Sequence, residues 1–213
     1  MEIFQIALDV FFNLDGYILA LVEQYGDWIY IISFLIVFFE TGVVLTPFLP
    51  GDSLLFVLGA IGAGGLLNIH FTVGILMLAA FLGDTLNYAI GSYLGPKVFS
   101  KKDSKIFNPN HLLRTRRFLD LHGGKAVVLA RFIPIIRTYA PFVAGVGSMQ
   151  YRSFVFFNIL GAVLWVVTLS YAGFFFGNIP VVKDNISLVI ILIILVSISP
   201  VLVGLIKSFW LKR

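Results

Sequence analysis

The sequence predicts an all-α integral membrane protein: an inverted repeat of a re-entrant hairpin plus a transmembrane helix, with about four full spans and two hairpins. Three observations lead there. Of the 213 residues, 59% are hydrophobic and 12% charged, and mean hydropathy is +0.99. A soluble domain is about half apolar and a quarter charged. Two of the apolar stretches are interrupted at bilayer depth by proline, glycine and charge, where irregular backbone survives only if buried in protein or lining a watery cavity. Those two stretches also resemble each other.

Taken in order as a single membrane domain over 1–213, residues 1–27 space Glu2, Gln5, Asp9 and Asn13 three and four apart, the pattern of an amphipathic helix at the interface. They hold no Lys or Arg and no small-residue cleavage site, which argues against a cleaved signal peptide. Residues 28–46 form an apolar span with one charge, Glu40. Residues 47–66 follow as re-entrant hairpin 1, because Pro47, Pro50 and Gly51 break a continuous helix. A second span covers 71–94. Residues 95–125 carry eight of the fifteen basic residues, which marks a cytoplasmic loop or helix by the positive-inside rule. Re-entrant hairpin 2 covers 126–147, with breaks at Pro134 and Pro141, and spans at 153–176 and 186–206 complete the chain.

With four spans both termini are cytoplasmic, twelve basic residues lie inside, Lys183 lies outside, and Arg131 and Arg137 stay in the membrane. A six-span chain in which both broken segments cross also fits much of the charge pattern.

The repeat is visible by sliding the chain on itself. Val43, Val44, Leu45, Phe48 and Pro50 align without gaps to Val127, Val128, Leu129, Phe132 and Pro134, and "LGDTLNYAIGSYLG" (82–95) aligns to "LGAVLWVVTLSYAG" (160–173). Membrane sequences are rich in these residues, so chance matches compete with a true repeat. If the repeat is real, one crossing separates the hairpins and they enter from opposite faces. Carriers commonly bind substrate near the midplane of such repeats.

The ionisable residues in these segments are Glu40, Asp52, Asp84, Arg131 and Arg137. Each costs at least ~2.5 kcal/mol at a helix centre, so they are expected to face one another or a wet cavity. Asp52 and Glu40 are the expected partners of the two arginines. They could be salt bridges that only hold the hairpins. The functional reading is that Arg131 and Arg137 grip a phosphate with planar forks while Glu40 and Asp52 carry protons, the chemistry of a coupled lipid carrier. Asp84, Asn87, Tyr88, Gly91 and Gly95 share one face of the second span. They read first as a packing face and second as a secondary polar site, with Asn158 and Gly161 as a counterpart on the third span.

Other chemistries fit less well. "GDSL" at Gly51 to Leu54 spells an esterase nucleophile motif around Ser53, but no Asp-x-x-His follows, so no hydrolase is expected. His70, His111 and His122 are scattered, and neither metal nor cofactor is expected. The basic residues between apolar segments are a topology signal rather than a nucleic-acid surface.

"FFETGVVLTPFLPGDSLLF", "HGGKAVVLARFIPIIRTYAPFVAG" and "YAGFFFGNIP" strongly resemble the DedA family of bacterial inner-membrane proteins, within a superfamily sharing the SNARE-associated or VTT domain with eukaryotic lipid scramblases. The likeness runs from roughly residue 10 to 190, and its phenylalanine-proline-arginine signature is specific. It implies two opposed re-entrant hairpins, dependence on the proton motive force and, in several members, recycling of undecaprenyl phosphate across the inner membrane. The family's essential acids fall on Glu40 and Asp52 and its essential arginines on Arg131 and Arg137, with no departure. The partners implied are a phosphate-headed membrane lipid and protons or another coupling cation; a homo-oligomer is compatible with the sequence. A cation/proton antiporter and a non-transporting scaffold for envelope or division machinery are the alternatives.

Overall fold

The computed structural model describes residues 24–43, 51–98, 121, 123–177 and 179–183. The expected helix over 1–27 lies outside these apart from its last four residues. The expected span at 186–206, most of the 95–125 segment and the start of hairpin 1 also lie outside them. The described elements are helical: α1 (Trp28–Gly42), α2 (Gly51–Ala63), α3 (Ile69–Val98), α4 (Lys125–Ala130), α5 (Pro134–Val146), α6 (Tyr151–Phe176) and α7 (Pro180–Lys183).

Two of them are apolar and long enough to cross a membrane, 27 residues from Ile69 to Gly95 and 26 from Tyr151 to Phe176. They sit where the second and third spans are expected. α3 runs on through Pro96 to Val98, into the segment expected to be a cytoplasmic loop or helix; proline in a last turn forfeits a single backbone bond. α1 has 15 residues and α2 and α5 have 13 each. At 1.5 Å per residue these measure only ~20 to 23 Å, less than the ~30 Å of a bilayer's hydrocarbon. The expected break at Pro141 is not there: α5 continues through it, because a helix can lose one N–H donor and stay continuous when neighbouring helices pack on it.

The chain forms two compact units. Of the described residues, 24–36, 51–77, 166–177 and 179–183 belong to the first, and 37–43, 78–98, 121 and 123–165 to the second. In the first, Asn68 is the N-cap of α3: its Oδ1 accepts the Phe71 N–H at 3.1 Å, the usual use of asparagine before a helix. The Asn68 N–H in turn donates to the Tyr30 hydroxyl. α2 lies parallel to the end of α6. A Cβ on Gly173 would run into the Phe56 carbonyl and one on Gly177, just past the end of α6, into Ala60, so both glycines are needed for the backbones to approach.

In the second unit, helix directions follow from which residues meet. Along α3, Asp84 meets Arg131, Asn87 meets Thr138, Gly91 faces Phe142 and Gly95 faces Val146; α5 is therefore parallel to α3. Along α6, Phe157 faces Gly124 and Gly161 faces Val128, making α4 parallel to α6. α3 and α6 are antiparallel, since Asn158 bonds Phe81 while Tyr88 stacks on Phe154 at 4.3 Å. α4 and α5 consequently run in opposite directions as a helical hairpin, with its tip at residues 131–133.

Candidate functional site: a buried charge cluster at the hairpin tip

The tip is dictated by local chemistry. Ile133 precedes Pro134 and is extended, with φ −116° and ψ 106°, as the proline ring disfavours the helical conformation just before it. Pro134 then opens α5 at the position where a missing N–H costs nothing. Arg131 closes α4, its N–H bonded to the Val128 carbonyl at 3.2 Å. Arg137 follows one turn into α5. The phenylalanine, proline and arginine of the sequence thus place two guanidinium groups on either side of one helix break.

Both are buried, Arg131 to 3% exposure and Arg137 to 5%. Arg137 Nη2 forms an ion pair of 2.6 Å with Oε1 of Glu40, two residues before the end of α1 and wholly enclosed. Arg131 Nη2 pairs with Oδ2 of Asp84 and also donates to the Ala80 carbonyl at 3.4 Å, while its Nη1 donates to the Asn158 carbonyl at 3.2 Å. The two guanidinium groups lie over the same Trp165 ring, at 5.8 Å for Arg131 and 4.7 Å for Arg137. Two cations, two carboxylates and an indole therefore form one buried cluster, neutral in total if all four groups are charged. Asp84 lies midway along the 30-residue α3.

Asn87 ties the cluster's backbone together. Its amide nitrogen donates to the carbonyl of Thr41 at 3.0 Å and to that of Thr138 at 2.7 Å. Thr41 neighbours Glu40 and Thr138 neighbours Arg137, so a single side chain sets the register of that ion pair. A Cβ on Gly83 would press within 2.7 Å of the Phe38 carbonyl, so glycine lets the end of α1 sit against the middle of α3.

Of the sequence-derived candidates, Glu40, Arg131 and Arg137 come together. Asp52 is half-buried in the first turn of α2, which belongs to the first unit. The acid on Arg131 is Asp84, from the face read mainly as packing. That face has both characters: Gly91 and Gly95 admit α5 and Tyr88 donates its hydroxyl to the Met149 carbonyl, whereas Asp84 and Asn87 belong to the cluster. Asn158 acts opposite them as expected, joined by Trp165. Trp165 was not singled out, although 158, 161 and 165 share one helical face in the sequence. Ser53 is fully buried inside α2, a helical setting unlike the exposed turn on which a nucleophilic serine is presented. Among the described residues no group of three His, Cys, Asp or Glu could hold a metal ion.

Apolar helices of bilayer length around a sequestered set of charges define an integral membrane protein. The family is given by comparison: the VTT domain matches residues 49–175, and the chain belongs to this VTT, or DedA, family. It is 50% identical over 209 residues to Protein DedA of Escherichia coli K12, covering 97% of this chain and 95% of the relative. Inner membrane protein YghB of the same organism is 33% identical over 182 residues, 85% of this chain and 83% of that one. The protein called uncharacterized membrane protein ML0287 of Mycobacterium leprae is 37% identical over 172 residues, 81% and 77%. No solved structure matches.

Proposed function

We propose that this protein is a transporter of a phosphate-headed lipid driven by the proton motive force, with undecaprenyl phosphate as the first candidate cargo and the bacterial inner membrane as its location. Arg131 and Arg137 bind the phosphate, and Glu40 and Asp52 couple protons. The observation that carries the reading is the pair of buried arginines flanking one helix break over one indole. A guanidinium offers two parallel donors that fit phosphate oxygens, and burial of charge at this depth is costly enough to mark a functional site by default.

The architecture supports the same conclusion. α2 and α5 are each 13 residues long, each follows an aligned proline, and each leads into a helix of bilayer length. Each also packs in parallel on a long helix from the other half of the repeat, α2 on α6 and α5 on α3, through glycines. Too short to cross, they suit two re-entrant hairpins in an inverted repeat, the setting in which carriers hold substrate near mid-depth.

The test is reconstitution of the pure protein into liposomes carrying labelled undecaprenyl phosphate in the outer leaflet. Loss of label from that leaflet, accelerated by a proton gradient and abolished in Arg137→Gln, is the expected result. Rates equal to protein-free liposomes under every gradient would sink the proposal.

A further inference from the structure

Asp84 occupies the place on Arg131 that a phosphate oxygen would need. Its Oδ2 takes Nη2 of the guanidinium, and the remaining polar contacts of that guanidinium are backbone carbonyls of Ala80 and Asn158, which cannot move without unwinding α3 or α6. The carboxylate is the only ligand of Arg131 among the described residues that is on a rotatable side chain. Its second oxygen, Oδ1, is buried and has no hydrogen-bond partner among the described residues, an arrangement that is expensive for an ionised acid and one that a proton would relieve.

We infer that Asp84 is a resident counter-anion, displaced from Arg131 by the incoming phosphate and released from the pair by taking up a proton. The inference rests on the phosphate-carrier reading and adds to it which acid is exchanged. As phosphate oxygens replace Oδ2 on Nη2, a proton from water joins the Asp84 carboxylate, so the cluster gains an anion and a proton together. The charged groups around Asp84 are Arg131 from the hairpin tip and Arg137 from α5, with Glu40 of α1 held on Arg137. α6 adds the uncharged Asn158 and Trp165. With Glu40 engaged by Arg137, Asp84 is the carboxylate whose partner the ligand takes.

The measurement is proton uptake on binding, by calorimetry of the purified full chain in buffers of different ionisation enthalpy. The probes are inorganic phosphate and a short-chain polyprenyl phosphate, corrected for their own ionisation. Wild type should take up about one proton per bound phosphate, its affinity rising about tenfold per pH unit of acidification. Asp84→Asn should bind with that uptake lost and the pH slope flattened, whereas Asp84→Glu should keep both. Binding of both probes assigns the site to the phosphate group alone, and binding of the lipid only to a headgroup delivered by its chain; with the proton, either supports the inference. Unchanged uptake in Asp84→Asn overturns it while leaving the carrier reading intact. No binding of either probe by wild type overturns both.

If Asp84→Asn does not fold, infrared difference spectra of wild type and Asp84→Glu decide. Adding phosphate should raise a protonated-carboxyl band that shifts in the glutamate variant. A spectrum without that band refutes the exchange.

Discussion

Arg137 holds Glu40 through a 2.6 Å contact, and the chemistry of that contact separates structure from function. Lysine at this position keeps the charge but offers a point donor in place of a fork. Arg137→Lys should therefore insert normally yet lose about tenfold or more in phosphate-lipid transport in reconstituted liposomes; wild-type rates would count against the phosphate grip. Glu40→Gln takes a counter-charge away from the buried Arg137 guanidinium, a defect of about 3–5 kcal/mol. In a chain of this length that is roughly 10 °C or more in detergent melting temperature. Glu40→Gln/Arg137→Gln should recover most of that loss while remaining inactive. If the double variant transports, the pair is only a strut.

At the scale of elements, much was legible because it is written in local sterics. "ARFIPIIR" spells the helix stop, the extended residue and the proline start that the hairpin tip adopts. The long spans were legible from hydropathy alone, and Gly91 and Gly95 from their spacing. What was hidden is the pairing of Arg131: nothing local marks Asp84 as the acid that meets it, and that meeting is set by how α5 lies along α3. That lie depends on glycine, since a Cβ on Gly145 would run into the Tyr88 carbonyl. Gly145→Ala should then force the two helices apart at a cost of about 4 kcal/mol. The melting temperature would show it, as would weaker transport. Asn87→Ala removes the donor from two buried carbonyls and should cost about 2 kcal/mol or more, with a parallel loss of transport. A melting temperature within 1–2 °C of wild type would mean that Asn87 does not set the register.

For the whole molecule, the open choice in the sequence was between four spans and six, because proline and charge break a hydrophobic segment in the same way whether it crosses or returns. The second broken segment is a helical hairpin, and its arms of 6 and 13 residues bring the chain back toward the end from which it entered. Lys125, where the hairpin begins, and Arg152, just beyond it, are both exposed. A re-entrant hairpin leaves them on one face of the membrane, whereas a crossing segment puts them on opposite faces. The chain contains no cysteine, so Lys125→Cys and Arg152→Cys each introduce a single thiol into an otherwise unreactive background. In oriented vesicles both should react with a membrane-impermeant maleimide from the cytoplasmic side only, as the excess of basic residues around 97–125 requires. Labelling of the two from opposite sides would show that the second broken segment crosses the membrane and remove the inverted-hairpin basis for a mid-membrane carrier site.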